Sequence, residues 1–439
     1  MYRVILKACC LLGVAPFLFL GSVVLSSAQE APAMQRREFP TWKFKIGSEE
    51  RLRYEYKHDF DFKRSSEDNG SLIFNRFRIN AQACLSDEYL NDIAEAFVEG
   101  LDARVGAYQI KPTVQKSSFD LHQAYVDLYN ILGSDFDFKV GRQELRYGAG
   151  RLIWNPTWAN RVRSFDAAIL HYHPKNFYCD ILFGWDVKYD DNNFNHIQYK
   201  EKLTGMYLGY QKDKVSTLLE GYFLPQITKS TAGKTVRYTT GARAQGRVPG
   251  NILYDIELPY QFGKTNHKSI KAHALHVDIS HPFLSTLWQP NVIFEYNHAT
   301  GDTNPNDSVN NTFNPLYQST HEPYGLLDFF RWQNMREAAL RVDLALTDKL
   351  KLTPQTNFFW LMSTNDSWYD SGGIALRSLT IGRRSHYVGQ EVSLRATYNL
   401  NKTTKWETGY AHMFPGKYVT ISGSNDDVDW VYSQLNFKY

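Results

Sequence analysis

Residues 140–167, VGRQELRYGAGRLIWNPTWANRVRSFDA, carry five arginines (Arg142, Arg146, Arg151, Arg161, Arg163) against two acids, Glu144 and Asp166. Three glycines and two tryptophans are mixed in, and neither a helical nor a strand period runs through the stretch. Guanidinium forks grip carboxylates and phosphates bidentately. Read by itself, the stretch could serve a nucleic acid, a phosphate or a carboxylated solute. The elements around it decide which.

The rest of the chain offers little competing chemistry. There is no phosphate-binding loop, no G-x-S-x-G elbow and no H-E-x-x-H motif. A barrel lipase would need Ser, His and an orienting amide or acid at one membrane depth, and no convincing set emerges. The chain is therefore read as neither an enzyme nor a cofactor binder. His171-Tyr172-His173 and the pair His273 and His276 are the nearest approach to a metal cluster. Both read as strand-surface residues, so no metal site is expected. The formal net charge of +3 is too small to draw nucleic acid to the whole molecule, and no such partner is expected. Any charge effect must be local.

The start of the chain reads as an export signal. MYRVILK supplies a basic segment with Arg3 and Lys7, ACCLLGVAPFLFLGSVVL an apolar one, and Ser26 and Ala28 a small-residue exit. Residues 1–28 are expected to be removed after Ala28. The alternative is an uncleaved anchor, which Gly13, Pro16 and Gly21 disfavour. Two cysteines, Cys84 and Cys179, follow, and they are too few for a disulfide framework.

Beyond the signal, alternation with period two recurs. In NILYDIELPYQFG, Ile252, Tyr254, Ile256, Leu258, Tyr260 and Phe262 fall on one face, and Asp255, Glu257 and Gln261 on the other. About eighteen such segments are read, beginning near Trp42, Leu72, Ile93, Asp120, Asp135, Ser164, Asn176, Leu203, Val215, Val236, Asn251, Ser269, Pro290, Asn334, Leu350, Tyr387, Thr403 and Asp429. Most have the length that a tilted strand needs to cross a bilayer, about 9–11 residues or slightly more. Connections alternate too. Tight turns at 174–175, 212–214, 249–250, 347–349 and 401–402 follow even-numbered strands, whereas long polar stretches such as 300–333, 362–386 and 415–428 follow odd ones. The last segment, WVYSQLNFKY, alternates to a terminal aromatic residue, as in the assembly signal of bacterial outer-membrane proteins.

Together these features predict an all-β fold: a transmembrane antiparallel β-barrel of about 18 strands, with short periplasmic turns and long extracellular loops. Residues 29–41 form a short periplasmic segment and 42–439 the barrel. A soluble sandwich or propeller would need two packed apolar layers, and here one face is polar throughout and too extensive to bury as a core. The protein is expected as an integral protein of the bacterial outer membrane, in contact with lipid and lipopolysaccharide. The lumen face is expected to carry Arg51, Arg53, Arg76, Arg78, Arg104, Arg243, Arg341 and Arg395 beside Asp127, Asp180, Asp255, Glu257, Glu295, Asp343 and Glu391. Neighbouring opposite charges would largely pair across strands.

The arginine-rich stretch lies between the fifth and sixth strands, on the long-loop side. Leu145, Leu152, Ile153, Trp154 and Trp158 make it too apolar for a freely solvated loop. It is expected to fold into the pore, with Arg142, Arg151 and Arg163 in contact with solute and Arg146 and Arg161 in support. Glu144 is the acid within this set.

These residues also carry a resemblance. LHQAYVDL (121–128), VGRQELRYG (140–148), RLI (151–153), RSFDA (163–167), the stretch 299–328, VGQEVSL (388–394) and GYAHMFPGKY (409–418) are similar, in this order, to the motifs of the alginate export family. The resemblance implies an eighteen-stranded barrel that passes an anionic uronic-acid polysaccharide outward through an arginine-lined constriction. Arg142, Arg151, Arg163, Arg76 in NRFR and Arg104 in EGLDAR match positions that the family fills with arginine. One departure is YGAGRL, where Ala149 and Gly150 stand in place of the acid or amide common before that arginine. The function so implied is passive export of an alginate-like polysaccharide, with a periplasmic partner that could deliver it. The alternative is a general or uptake porin for small organic anions. In loop 299–328, GDTNPND does not follow the EF-hand spacing and reads as solvated turns.

Overall fold

The computed structural model describes residues 40–439 apart from 65–68, 88–90, 110–114, 156, 191–192, 214–215, 232, 320 and 378–384. The expected signal peptide and most of the segment after it lie outside the described residues.

Eighteen strands form one closed antiparallel barrel: β1 (Thr41–His58), β2 (Gly70–Ser86), β3 (Asp92–Tyr108), β4 (Ser117–Leu128), β5 (Phe136–Gln143), β6 (Phe165–Tyr172), β7 (Phe177–Lys188), β8 (His196–Tyr210), β9 (Leu218–Ser230), β10 (Gly233–Val248), β11 (Ile252–Thr265), β12 (Lys268–Pro282), β13 (Asn291–Ala299), β14 (Met335–Ala345), β15 (Leu350–Trp360), β16 (Tyr387–Asn399), β17 (Thr404–Pro415) and β18 (Val428–Lys438). Each pairs with its neighbours in sequence, and β1 closes on β18 from Glu49↔Lys438 to His58↔Asp429. Closure removes the free edges, so every strand can exchange its backbone hydrogen bonds with a neighbour. No described helix is long and apolar enough to cross a membrane; the crossing is made by strands.

Side-chain alternation sets the two faces. On β11, Ile256, Leu258, Tyr260 and Phe262 are exposed on the outside, whereas Glu257 and Gln261 are buried within. On β1, Leu52, Tyr54 and Tyr56 point out, and Arg51, Arg53 and Glu55 point in. Strand starts fall close to the expected positions. The clear displacement is β8, expected near Leu203 and found from His196. Its first turn of residues, HIQYKEK, is polar and continues the ladder past the apolar belt.

The apolar core lies inside the barrel, at its long-loop end. Phe313, Tyr317, Tyr324, Phe329, Phe330 and Trp332 from the connection between β13 and β14 are buried there with Leu145, Leu152 and Ile153 from the connection between β5 and β6. The hairpin of Trp368–Tyr369 with Ala375–Arg377, and the short helix α1 (Lys417–Ser422), pack on the same cluster through Trp368, Tyr418 and Val419. The expectation of solvated turns therefore holds only for the tip of loop 299–328, residues 303–308, which is exposed. Beyond the tip, Phe313, Leu316, Tyr317 and Tyr324 are buried and the loop turns inward.

Candidate functional site

The site begins with a conflict between charges. Across β1 and β2, Arg51 stands directly opposite Arg76, and Glu49 opposite Arg78. Like charges on paired strands repel. Here the inserted loop supplies the compensation. The Thr157 carbonyl accepts from Arg51 at 2.9 Å and from Arg76 at 2.8 Å, and the Trp158 carbonyl accepts from Arg51 at 2.8 Å and Arg53 at 2.7 Å. The Ala159 carbonyl accepts from Arg76 at 3.0 Å. Asn160, fully buried, donates to the carbonyls of Asn75 at 3.1 Å and Arg104 at 3.0 Å. Three wall guanidiniums thus hold one loop by its backbone. Arg53 is also paired with Glu55 at 2.8 Å and Arg76 with Glu49 at 2.7 Å. Arg51 donates to carbonyls and to the Asn160 amide oxygen, acceptors that carry no net charge.

Trp158 is the centre of this arrangement. Its ring lies between the Arg53 guanidinium, 3.8 Å from the ring centroid, and the His321 ring, stacked at 4.0 Å and 16°. Tyr432 and Trp430 of β18 meet it edge-on at 4.9 and 5.7 Å. His321 is held in turn by Asp328, with Nδ1 and Oδ1 2.8 Å apart.

On the short-turn side of Trp158 opens a cavity of about 660 Å³, lined by Arg51, Arg76, Arg78, Arg146, Trp154 and the lysines Lys402, Lys405 and Lys438. Its carboxylates are Glu49, Glu322 and Glu407. On the other side is a void of only about 60 Å³, lined by Glu55, Lys57, Phe74 and Leu326 among others. Trp158 is common to both linings and stands between them.

Glu144 anchors the start of the inserted loop. It accepts from Arg78 at 3.1 Å, Arg146 at 2.8 Å and Asn155, and pairs with His122 at 2.9 Å. Burial alone would raise its pKa; the His122 hydrogen bond and the nearby Arg78 and Arg146 charges outweigh this and hold it at about 2. His122 reaches Glu144 because a bulge in the β3–β4 pairing, at Glu99/Gly100, turns it inward.

The opposite wall is built differently. Arg243 makes a bidentate pair with Asp255 at 2.8 and 2.9 Å and also binds Glu220. Arg151 lies 3.5 Å from Asp255, 3.8 Å from Glu257 and 2.6 Å from His276 Nε2. The wall therefore supplies the partners that Ala149 and Gly150 lack. Gly150 is required for another reason: its φ is +80°, and a Cβ there would meet the Trp154 ring at 2.8 Å.

The other expected residues are spread out. Arg163 lies 3.7 Å from Asp186 and over the Tyr317 ring at 5.2 Å. Arg341 faces inward near Asp343, at 3.8 Å, and Asp127 lies inward opposite Lys139, away from the rest. Two expectations of pore lining do not hold. Arg104 lies on the outward face of β3, half-exposed and paired with Asp102 at 2.6 Å. Arg142 shares the outward parity of Phe136 and Val140, and it is locked bidentately to Asp166 at 2.8 and 2.9 Å. Sequence reasoning treated Trp158 as packing only, and it missed His321 and Lys402 altogether. The one signal for Trp158 was its place among arginines in a loop with no period.

A closed barrel of eighteen strands with a charged cavity open at one end is an outer-membrane channel in its architecture. The chain belongs to the alginate export family, whose model matches residues 43–429. Among curated proteins none matches the sequence. Among solved structures the barrel is similar to Pseudomonas aeruginosa OccK2 (OpdF), with a TM-score of 0.61 at 9% identity over 90% of this chain and 97% of that one. A second OccK2 structure, in complex with glucuronate, gives 0.60 at 10% identity over 90% and 97%. Acinetobacter baumannii OccAB1 gives 0.59 at 11% identity over 90% and 96%. At such identities the likeness is one of fold.

Proposed function

We propose that the protein is a passive export channel for an anionic, uronic-acid-type polysaccharide or its oligomers. The observation that carries this reading is the cavity at the short-turn end, the periplasmic end of such a barrel. Four arginines and three lysines line it against three glutamates, and Trp154 and Trp158 form apolar faces within it. Carboxylates suit the cations, and the flat faces of sugar rings suit the tryptophans. The family supports the substrate class, and so does the glucuronate held by the similar OccK2 barrel. A chain passing outward would have to displace Trp158 and the loop that bears it.

One observation favours a second reading, a porin for small organic anions: the void adjoining Trp158 on its other side measures about 60 Å³. Purified protein in a planar bilayer separates the two. Export of a polymer predicts anion selectivity and block of the current by polyuronate added on the short-turn side. A small-solute porin predicts block by monomeric acids alone. Cation selectivity with no effect of either would overturn both.

A further inference from the structure

Within the lumen, at the short-turn end of β5–β7, stands a cluster that the transport reading does not use. His171 ends β6, and His173 follows two residues later. The His173 amide donates to the Asp135 carbonyl at 2.9 Å, so the β5–β6 ladder continues through it and both imidazoles project from one face. Asp137 faces His171 across the ladder. Asp137, His171 and His173 each present a ligand atom, all within 4.8 Å of one another.

Three details point to a shared centre. His173 Nε2 lies 3.0 Å from Asp137 Oδ2, yet it makes no hydrogen bond. The two imidazoles stack at 5.0 Å and 24°, which holds the rings side by side. His171 gives Nδ1 to Asp180, its partner on β7, and Asp180 is itself held by the Tyr147 hydroxyl at 2.8 Å. A carboxylate on Nδ1 fixes the ring and leaves Nε2 as the basic nitrogen, the arrangement that orients metal-binding histidines. The side chains of His171 and His173 are 35% and 32% exposed and that of Asp137 17%, so open positions face the lumen.

We propose that His171, His173 and Asp137 bind one borderline divalent transition-metal cation of the zinc class, with Asp180 as the positioning carboxylate. Two imidazole nitrogens and one carboxylate oxygen suit zinc, copper, nickel or cobalt; calcium would require an all-oxygen set. Three protein ligands leave a fourth position to water or a solute carboxylate. The proposal departs from the reading of His171-Tyr172-His173 as plain strand surface. The signal missing from the sequence was Asp137, which only the register brings alongside. The other mixed cluster, Glu99, His122 and Glu144, is already served by a built-in cation, because Arg78 lies 3.3 Å from Glu99 and 3.1 Å from Glu144.

The test uses the full chain in detergent, prepared without a histidine tag and stripped with chelator. Calorimetry with zinc is expected to give one site per chain that calcium does not displace. His171→Ala combined with His173→Ala should abolish it, and Asp180→Asn should weaken it about 10- to 100-fold. Absence of a stoichiometric site, or wild-type affinity in the double variant, would overturn the proposal. Anomalous scattering at the zinc edge from soaked wild-type crystals needs no variant. A peak among the three side chains supports the site, and a peak elsewhere, or none, refutes it.

Discussion

The two walls of the lumen use arginine differently. On β1 and β2, Arg51, Arg53 and Arg76 share the carbonyls of Thr157, Trp158 and Ala159, with Glu55 beside Arg53 and Glu49 beside Arg76. On β9–β11, Arg243 is surrounded by the carboxylates of Glu220 and Asp255, with Glu257 close to Arg151. A guanidinium bound to carbonyls keeps its field; one bound to carboxylates loses it. Arg51, bonded to carbonyls and an amide oxygen, can therefore both hold a loop and attract an anion. The second is a cross-strand clamp.

The largest effect should come from breaking the clamp. Arg243→Ala leaves Glu220 and Asp255 facing each other without their cation, and loss of one partner of such a buried pair costs about 3–5 kcal/mol. Heat-dependent gel mobility should show a clearly lower unfolding temperature. A variant as stable as wild type would mean that this wall is not a clamp. Next comes Trp158→Ala, which removes the aromatic barrier while leaving its carbonyl on the wall arginines. Single-channel conductance should rise at unchanged ion selectivity; unchanged conductance would locate the barrier elsewhere.

Arg51→Ala with Arg76→Ala should lower anion preference in reversal-potential measurements and make the current noisier as the loop loosens. If the preference survives, Arg78, Arg146 and the lysines of the cavity set it. Glu144 adds a pH-dependent contribution. Its folded-state pKa, about 2, lies below the ordinary 4.5, so its stabilisation is present above pH 4.5 and is lost as pH falls towards about 2. The melting difference between wild type and Glu144→Gln should shrink over that window; a constant difference would contradict it. The smallest effect belongs to Arg104→Ala, on the outside of the barrel. It should leave selectivity unchanged and shift stability by no more than about 0.5 kcal/mol.

The barrel was legible because each strand states its own two faces. Ile256, Leu258 and Tyr260 against Glu257 and Gln261 need no knowledge of any other strand. The site was less legible because it depends on register and on loops. The strand reading places Arg104 on the lumen face and EGLDAR agrees with it, whereas Arg104 shares the outward parity of Val98 and Asp102. For Arg142 the correcting signal was present: Phe136, Phe138 and Val140 share its parity and are apolar. Arg151 was expected to contact solute, and its partners, Asp255, Glu257 and His276, come from strands more than a hundred residues away. The burial of Phe313, Tyr317, Tyr324 and Trp332 was hidden by the polar tip that precedes them. Phe313, Tyr317 and Trp332 have no period in sequence because they pack on several strands at once.

The seam where β1 meets β18 has a consequence for assembly. Trp158 is gripped by Arg53 from the first strand and by Trp430 and Tyr432 from the last. Half of its cage therefore exists only when the two ends of the sheet have met. A nascent barrel still open at the seam cannot seat the tryptophan. The step that finishes the cylinder is thus the same step that seals it, and a half-assembled molecule in the membrane is an unsealed one.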